Sequence, residues 1–468
     1  MRATIHTAAL VAAVVVCACG DDANTAGDGG GSGSDGGGSG SDGGSSGVCG
    51  PPPPFSTGKT PSRTITVSSS TMSGDHPSIE AAAAAATPGT RIQLLPGMHQ
   101  TDQFVANLRG TEAEPIWITG MTGVVISGGG QALQLQRAAY VVLEAFEVAN
   151  TTANGINIDD GGAFDDPLAA HHVVVDGVRI HDIGSAGGNN DCLKVSGIRD
   201  LYVLRSEFRN CGGGGSGIDH VGVHRSVISR NTFDARMGNA VQSKGGSTDH
   251  DIEYNSVRIT GSRAFNVGGS TDLTLFRPSL STSAPNAEAR RIRVYDNIVW
   301  GLDAMATPFA IVGCVDCIVA HNGVRGSYRW HMRILQETPT DSAPYTFEPA
   351  RDGLVANNVF EFSSVTLNTA VNVGGDTDPG SFVFRNNLWY ATNGGSSTPS
   401  LPTPETGGVV GTSSEIPWRD DLREPTSCVT VEPAPLLDMG HEIPIGEHGA
   451  GCVDSTPSIG PLLGRCAI

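Results

Sequence analysis

A chain of 468 residues with a formal net charge of -19 lacks the basic face that a nucleic-acid partner would need. Its length would allow two or three globules, but repeats cancel that expectation, because a solenoid grows by adding coils. With 63 glycines, Asn-rich turns, few aromatics and no long helical periodicity, the composition points to an all-β chain. An acidic polymer could be bound only where basic residues are locally concentrated.

The chain opens with Met1–Arg2 and an apolar run from Ala8 to Val16, too short to span a bilayer as a helix and of signal-peptide character. Val16-Cys17-Ala18 before Cys19 resembles a bacterial lipobox, which implies a signal peptide over 1–19 and lipidation at Cys19. The alternative is an ordinary signal peptide cut nearby. Residues 20–54 read as a disordered Gly/Ser/Asp tether, with GGGSGSD twice in tandem. Together these describe an exported, monomeric lipoprotein at the cell surface or in the periplasm, touching the membrane through its anchor only.

The remaining cysteines are Cys49, Cys192, Cys211, Cys314, Cys317, Cys428, Cys452 and Cys466, an even set that permits disulfides in an exported chain. Cys314-x-x-Cys317 lacks the further ligands that zinc needs, so a local disulfide or buried thiols is expected there.

The folded part is expected over 55–392. A first strand forms near Thr64, and Pro77 enters the first turn of a helix that continues through AAAAAA to stop at Pro88-Gly89. That helix would cap an open solenoid end. From Asp191 to Gly269 the pattern is a short strand, a Gly or Ser turn, a second strand and a polar step, with a period of about 25 residues. The polar step aligns as a column through Asp176, Ser206, Asn231, Asn255, Asn297, Asn322, Asn358 and Asn387. Asn tolerates left-handed backbone and bonds neighbouring backbone groups, which suits a stacked corner. Insertions at Gly161–His171, Ser270–Ala289 and Thr338–Arg351 follow the same strand and should emerge along one edge, where function tends to lie. Residues 393–468 read as an irregular, Cys-containing C-terminal cap.

Alternate residues of the first strand of each coil point outward. With Val195, Val221 and Val267 inward, the outward residues are Lys194, His220 and Asn266, joined by Gln242, Lys244, Asn157 and Asp159. Such a row suits a sugar polymer. The chain has only three lysines, and lysine, unlike arginine, can lose its proton when desolvated. Asp159 and Asp160 could offer oxygens to calcium, though the first reading of them is as ordinary turn acids. His220-x-x-x-His224 would suit zinc on a helix, but this segment reads as strand and turn. Trp330 is either a stacking platform beside Arg333 or a core residue.

The cap with AAAAAATPGTRIQLLPGMH, then PIWITG, then coils such as HRSVISRNTF and DHDIEYNSV, resembles the right-handed parallel β-helix of the pectin-lyase-like superfamily over Thr64 to Thr392. The resemblance implies a carbohydrate-active surface protein acting on an acidic polysaccharide by β-elimination. Lys194 or Lys244 would be the base, and Arg225, Arg263 or Arg333 a substrate clamp. Calcium or a basic residue would neutralise the uronate carboxylate. The arginine expected one coil after the catalytic lysine is absent, since Val267-Gly268-Gly269 stands there. Asn190-Asp191-Cys192 is similar to the DDC motif of polygalacturonase-type hydrolases with its first acid replaced, and neither GHG nor RIK accompanies it. A hydrolase using Asp191 and Asp219, and a non-catalytic glycan-binding protein, therefore stand as alternatives.

Overall fold

The computed structural model describes residues 54–301 and 303–411. Three long sheets wind around one core. The first runs from Arg63–Val67 to Val383–Arg385, the second from Gly97–His99 to Val409–Val410, and the third from Gln103–Ala106 to Thr369–Val373. Successive strands of each sheet pair in parallel, and the chain visits the sheets in rotation, which makes a parallel β-helix. The local reason is alternation. Leu193-Lys194-Val195-Ser196 buries its first and third side chains and presents the other two, as do Ile156–Asp159 and Leu133–Gln136.

Inward residues stack coil on coil. Ile156, Leu193, Ile218, Val241, Phe265 and Phe309 follow one another in register, each at most 1% exposed. Each such burial contributes about 1.5–3 kcal/mol relative to exposure.

The polar column forms as a hydrogen-bonded ladder. The side-chain amide of Asn231 donates to Asn255, Asn255 to Asn297, Asn297 to Asn322, Asn322 to Asn358 and Asn358 to Asn387, at 2.9–3.0 Å. Two details differ from the sequence expectation. Asp176 is not in the column: it pairs with Leu204, and Val178 occupies the place beside Ser206. The left-handed residues are the ones just before the asparagines, among them Arg230, Tyr254, Asp296 and His321. The asparagines instead satisfy backbone groups that the bend would strand inside the coil.

The helix spans Ile79–Ala85, with Ser78 as N-cap accepting from the Ala81 N–H at 3.1 Å. Pro77 thus precedes the cap rather than entering the first turn. Ile79 and Ala82 are buried against the first coil. At the other end, pairing continues past Thr392 to Val409–Val410, and Glu405 ends the ladder by accepting from Asn387 and from the Trp389 indole. Cys192 is bonded to Cys211 and Cys314 to Cys317. The expectations for the signal segment, Cys19, the tether and Cys428, Cys452 and Cys466 fall outside the described residues.

Candidate functional site

The outward face of the third sheet carries one row of residues paired coil to coil: Gln134, Asn157, Lys194, Asp219, Gln242 and Asn266. A second outward row, two residues on, holds Asp159, Ser196, Val221 and Lys244. His220 is not on this face. Strand Ser216–Val221 is shifted by one residue from the expectation, so His220 points inward beside Val195 and Ser243, while Asp219 and Val221 point out. A one-residue slip exchanges the two faces of a strand. His220 is fully buried, its ring 5.1 Å from that of His250, and burial holds its pKa well below the ordinary histidine value. It stays neutral inside the coil.

Lys194 is the hinge of the outward cluster. Its ammonium contacts Asp219 Oδ2 directly and lies 3.4 Å from Asp191 Oδ2, while Lys244 Nζ lies 3.5 Å from Asp219 Oδ1. Burial alone would favour the neutral amine of Lys194, but the charges of Asp219 and Asp191 outweigh it and hold the pKa above the ordinary lysine value. A free-base Lys194, one option drawn from the resemblance, is therefore disfavoured at neutral pH. Burial, and next the charge of Asp219, push Asp191 up to about 6, against the opposing pull of Lys194 and the Ser216 N–H. The carboxylates lie deep, with side chains 8% and 4% exposed for Asp191 and Asp219, and the lysines lie above them at 30% and 19% for Lys194 and Lys244. An approaching ligand meets the ammonium groups first.

Asp191 is fixed by local geometry. Its Oδ1 accepts from the Ser216 N–H at 2.7 Å, and its own N–H donates to Asn154 Oδ1 at 2.8 Å. Next to it, Cys192 is disulfide-bonded to Cys211. From Asn154 a chain of amides runs along the face, through Asn157, Gln131 and Gln134 to Asp159. On the other side Asn239 donates to Ser216 Oγ at 3.2 Å. Asn154, Gln131, Gln134, Ser216 and Asn239 were not picked out from sequence, although Gln134 shares the strand phase of Asn157.

The insertion after Gly269 forms one wall. Gly269 lies where any Cβ would press on Lys244 and Gln242, so glycine leaves room for both. Arg277 in this insertion reaches Asp160 at 2.8 Å and lies over Gly222, where an added Cβ would collide with it. Its guanidinium also sits 4.0 Å from the centre of the Phe164 ring. Both oxygens of Asp160 are thus engaged by Arg277, and those of Asp159 by Gln134 and the Gly161 N–H. The pair does not fit a calcium site. Among the described residues no group of three or more His, Cys, Asp or Glu is placed to hold a metal ion.

Arg225 is not brought to the site. It lies on the first sheet and pairs with Asp200 at 2.8 Å. Arg263 bonds Asn266 and Glu337, each at 2.7 Å, and Arg333 follows Ala310 in the Lys194 row. Trp330 is half-buried, with the Arg329 and Arg333 guanidiniums 4.3 and 4.5 Å from its ring centre.

No family model and no curated protein matches this sequence. Among solved structures, the chain is similar to a pectate lyase at 15% identity, covering 86% of this chain and 97% of that one, with a TM-score of 0.43. It is similar to an alginate lyase from Paenibacillus sp. at 17% identity, covering 68% and 99%, with a TM-score of 0.44. It is also similar to a lacto-N-biosidase from Eubacterium ramulus at 14% identity, covering 69% and 67%, with a TM-score of 0.47. At these values no activity passes from those proteins to this chain.

Proposed function

We propose that this chain is a carbohydrate-active enzyme that takes an acidic polysaccharide along the outward face of the third sheet and cleaves it by β-elimination. The observation that carries this is the cluster of two lysines above two carboxylates, flanked in the Lys194 row by Gln134, Asn157, Gln242 and Asn266. In this reading Lys194 and Lys244 neutralise the uronate carboxylate, which makes the adjacent C–H more acidic. As the lysines turn to the substrate, Asp219 accepts that proton. The electron pair forms the C=C bond, the glycosidic C–O bond breaks, and protonated Asp191 delivers its proton to the leaving oxygen.

A hydrolytic reading uses the same two carboxyl groups as acid and base, and the raised Asp191 beside Asp219 favours it. The lysines weigh toward elimination, because hydrolysis has no carbanion-forming step for them to assist.

Incubation with pectate, alginate and glycosaminoglycans, followed by absorbance of the unsaturated product, tests the proposal. A rise with any polymer, lost in Lys194→Gln and in Asp191→Asn, is the expected result. New reducing ends without that absorbance would replace elimination by hydrolysis. Retention on an acidic-glycan column without either signal would make the chain a binding protein, and no interaction at all would overturn the reading.

A further inference from the structure

Beyond the lysine–carboxylate cluster, a concentration of positive charge lies on the same face. The row that contains Lys194 continues through Asp219, Gln242, Asn266 and Ala310 to Arg333. Arg333 and Arg329 both lie against Trp330, and Arg263 stands beside them. Burial, and then the neighbouring charge of Arg263, lower the pKa of Arg333. Glu337 is bonded to Arg263, whereas neither Arg329 nor Arg333 has a carboxylate within ion-pair distance among the described residues. Arg333 uses its Nε on the Asn372 amide, at 3.0 Å. Three guanidiniums face one carboxylate, in a chain of net charge -19.

Uncompensated arginines pressed together against an indole cost electrostatic energy unless an anion joins them. A guanidinium has planar geometry suited to two parallel bonds with a carboxylate. We propose that Arg329 and Arg333, held on Trp330, form an anion subsite for the carboxylate of a second acidic sugar in the same polymer chain. This rests on the reading of Lys194 and Lys244 as the place where the first acidic sugar is held.

Arg333 stands five strand steps from Lys194, roughly 24 Å at ordinary strand spacing. Taking one extended sugar to span about one strand step, roughly 4.8 Å, both points are engaged only by a chain of about six residues or more. The substrate class is then a polyuronate of about six sugars or more rather than a di- or trisaccharide.

The test is isothermal titration of the full chain, in the cold, with galacturonate and guluronate oligomers from dimer to octamer. In the wild type, hexamers should bind about tenfold tighter than trimers, the gain of one added charge-assisted contact. In Arg333→Gln that ratio should fall toward one, and Arg329→Gln, which spares the Asn372 bond, should lower it in the same direction. Equal affinity for trimer and hexamer in the wild type would overturn the subsite while leaving the Lys194 centre standing. So would a length dependence that survives both substitutions. Failure of every oligomer to bind would overturn the centre as well.

Discussion

Lys194 and Asp219 face each other from successive coils of the third sheet, in register, with the ammonium set on the Asp219 carboxylate. The pairing changes the job of the lysine. Held cationic by Asp219 and Asp191, it serves as a fixed positive charge rather than a base. Lys194→Arg should therefore keep a measurable part of polymer binding, whereas Lys194→Gln should lose most of it. Retention on an acidic-glycan column as a function of salt separates the two. Equal loss in both would mean that the shape of the lysine side chain, and not its charge alone, holds the polymer.

Asp191 should set the pH dependence of glycan binding. Its pKa, raised by burial and then by Asp219, stands at about 6, so lowering the pH through that value removes one negative charge from beneath Lys194 and Lys244. Binding of an anionic polymer should tighten between pH 7.5 and pH 5.5, by up to about the tenfold that one extra favourable charge confers. Asp191→Asn should flatten this part of the profile. His220 lies within the coil and, lowered by burial, does not supply a competing charge in that window. A slope unchanged in Asp191→Asn would assign the dependence elsewhere.

The fold was legible because its rules are local. Alternation in LKVS and INID, and asparagines recurring at the end of each coil, reported the sheet and the ladder directly. His220 was misplaced because Ile218 and Val221 are both apolar, and either could head the inward set. The coil admits an imidazole at that position beside His250, which no periodic pattern announces. Arg225 was misplaced because its neighbours could not say which sheet it joins. Arg277 and Asp160 are 117 residues apart, and only the winding of the solenoid brings them together. The lysines could be selected from sequence by their rarity, but their partners could not, because Asp191 reaches Lys194 through a turn and Asp219 through the next coil.

The asparagine ladder should be least tolerant at its middle. Asn297 donates to the Ile252 and Tyr295 carbonyls and to Asn322, and accepts from the backbone and side chain of Asn255. Asn297→Ala strands several of these groups inside the coil, at a cost of about 3 kcal/mol or more. Ser206→Ala loses only a bond to Leu204 O and one from the Val178 N–H, for about 1 kcal/mol. Urea midpoints should fall in that order, and equal shifts would deny the ladder its structural role.

The wall beside the lysines should depend on one buried ion pair. Arg277 and Asp160 are 7% and 1% exposed, and the bond between them fastens the 270–288 insertion to the coil that carries Asn157. Removing Arg277 leaves the buried Asp160 carboxylate with only the Gly162 N–H, so Arg277→Met should destabilise by about 3–5 kcal/mol, while Arg277→Met with Asp160→Leu should recover much of that loss. The Gly222 contact limits the recovery, since the long side chain must still lie flat over it. Limited proteolysis gives the second readout. The single variant should be cut within 270–288 sooner than the double variant, because an unpaired Asp160 draws water under the loop. If both variants lose stability equally, packing rather than charge holds the insertion down, and the wall would be expected to survive any exchange that preserves volume.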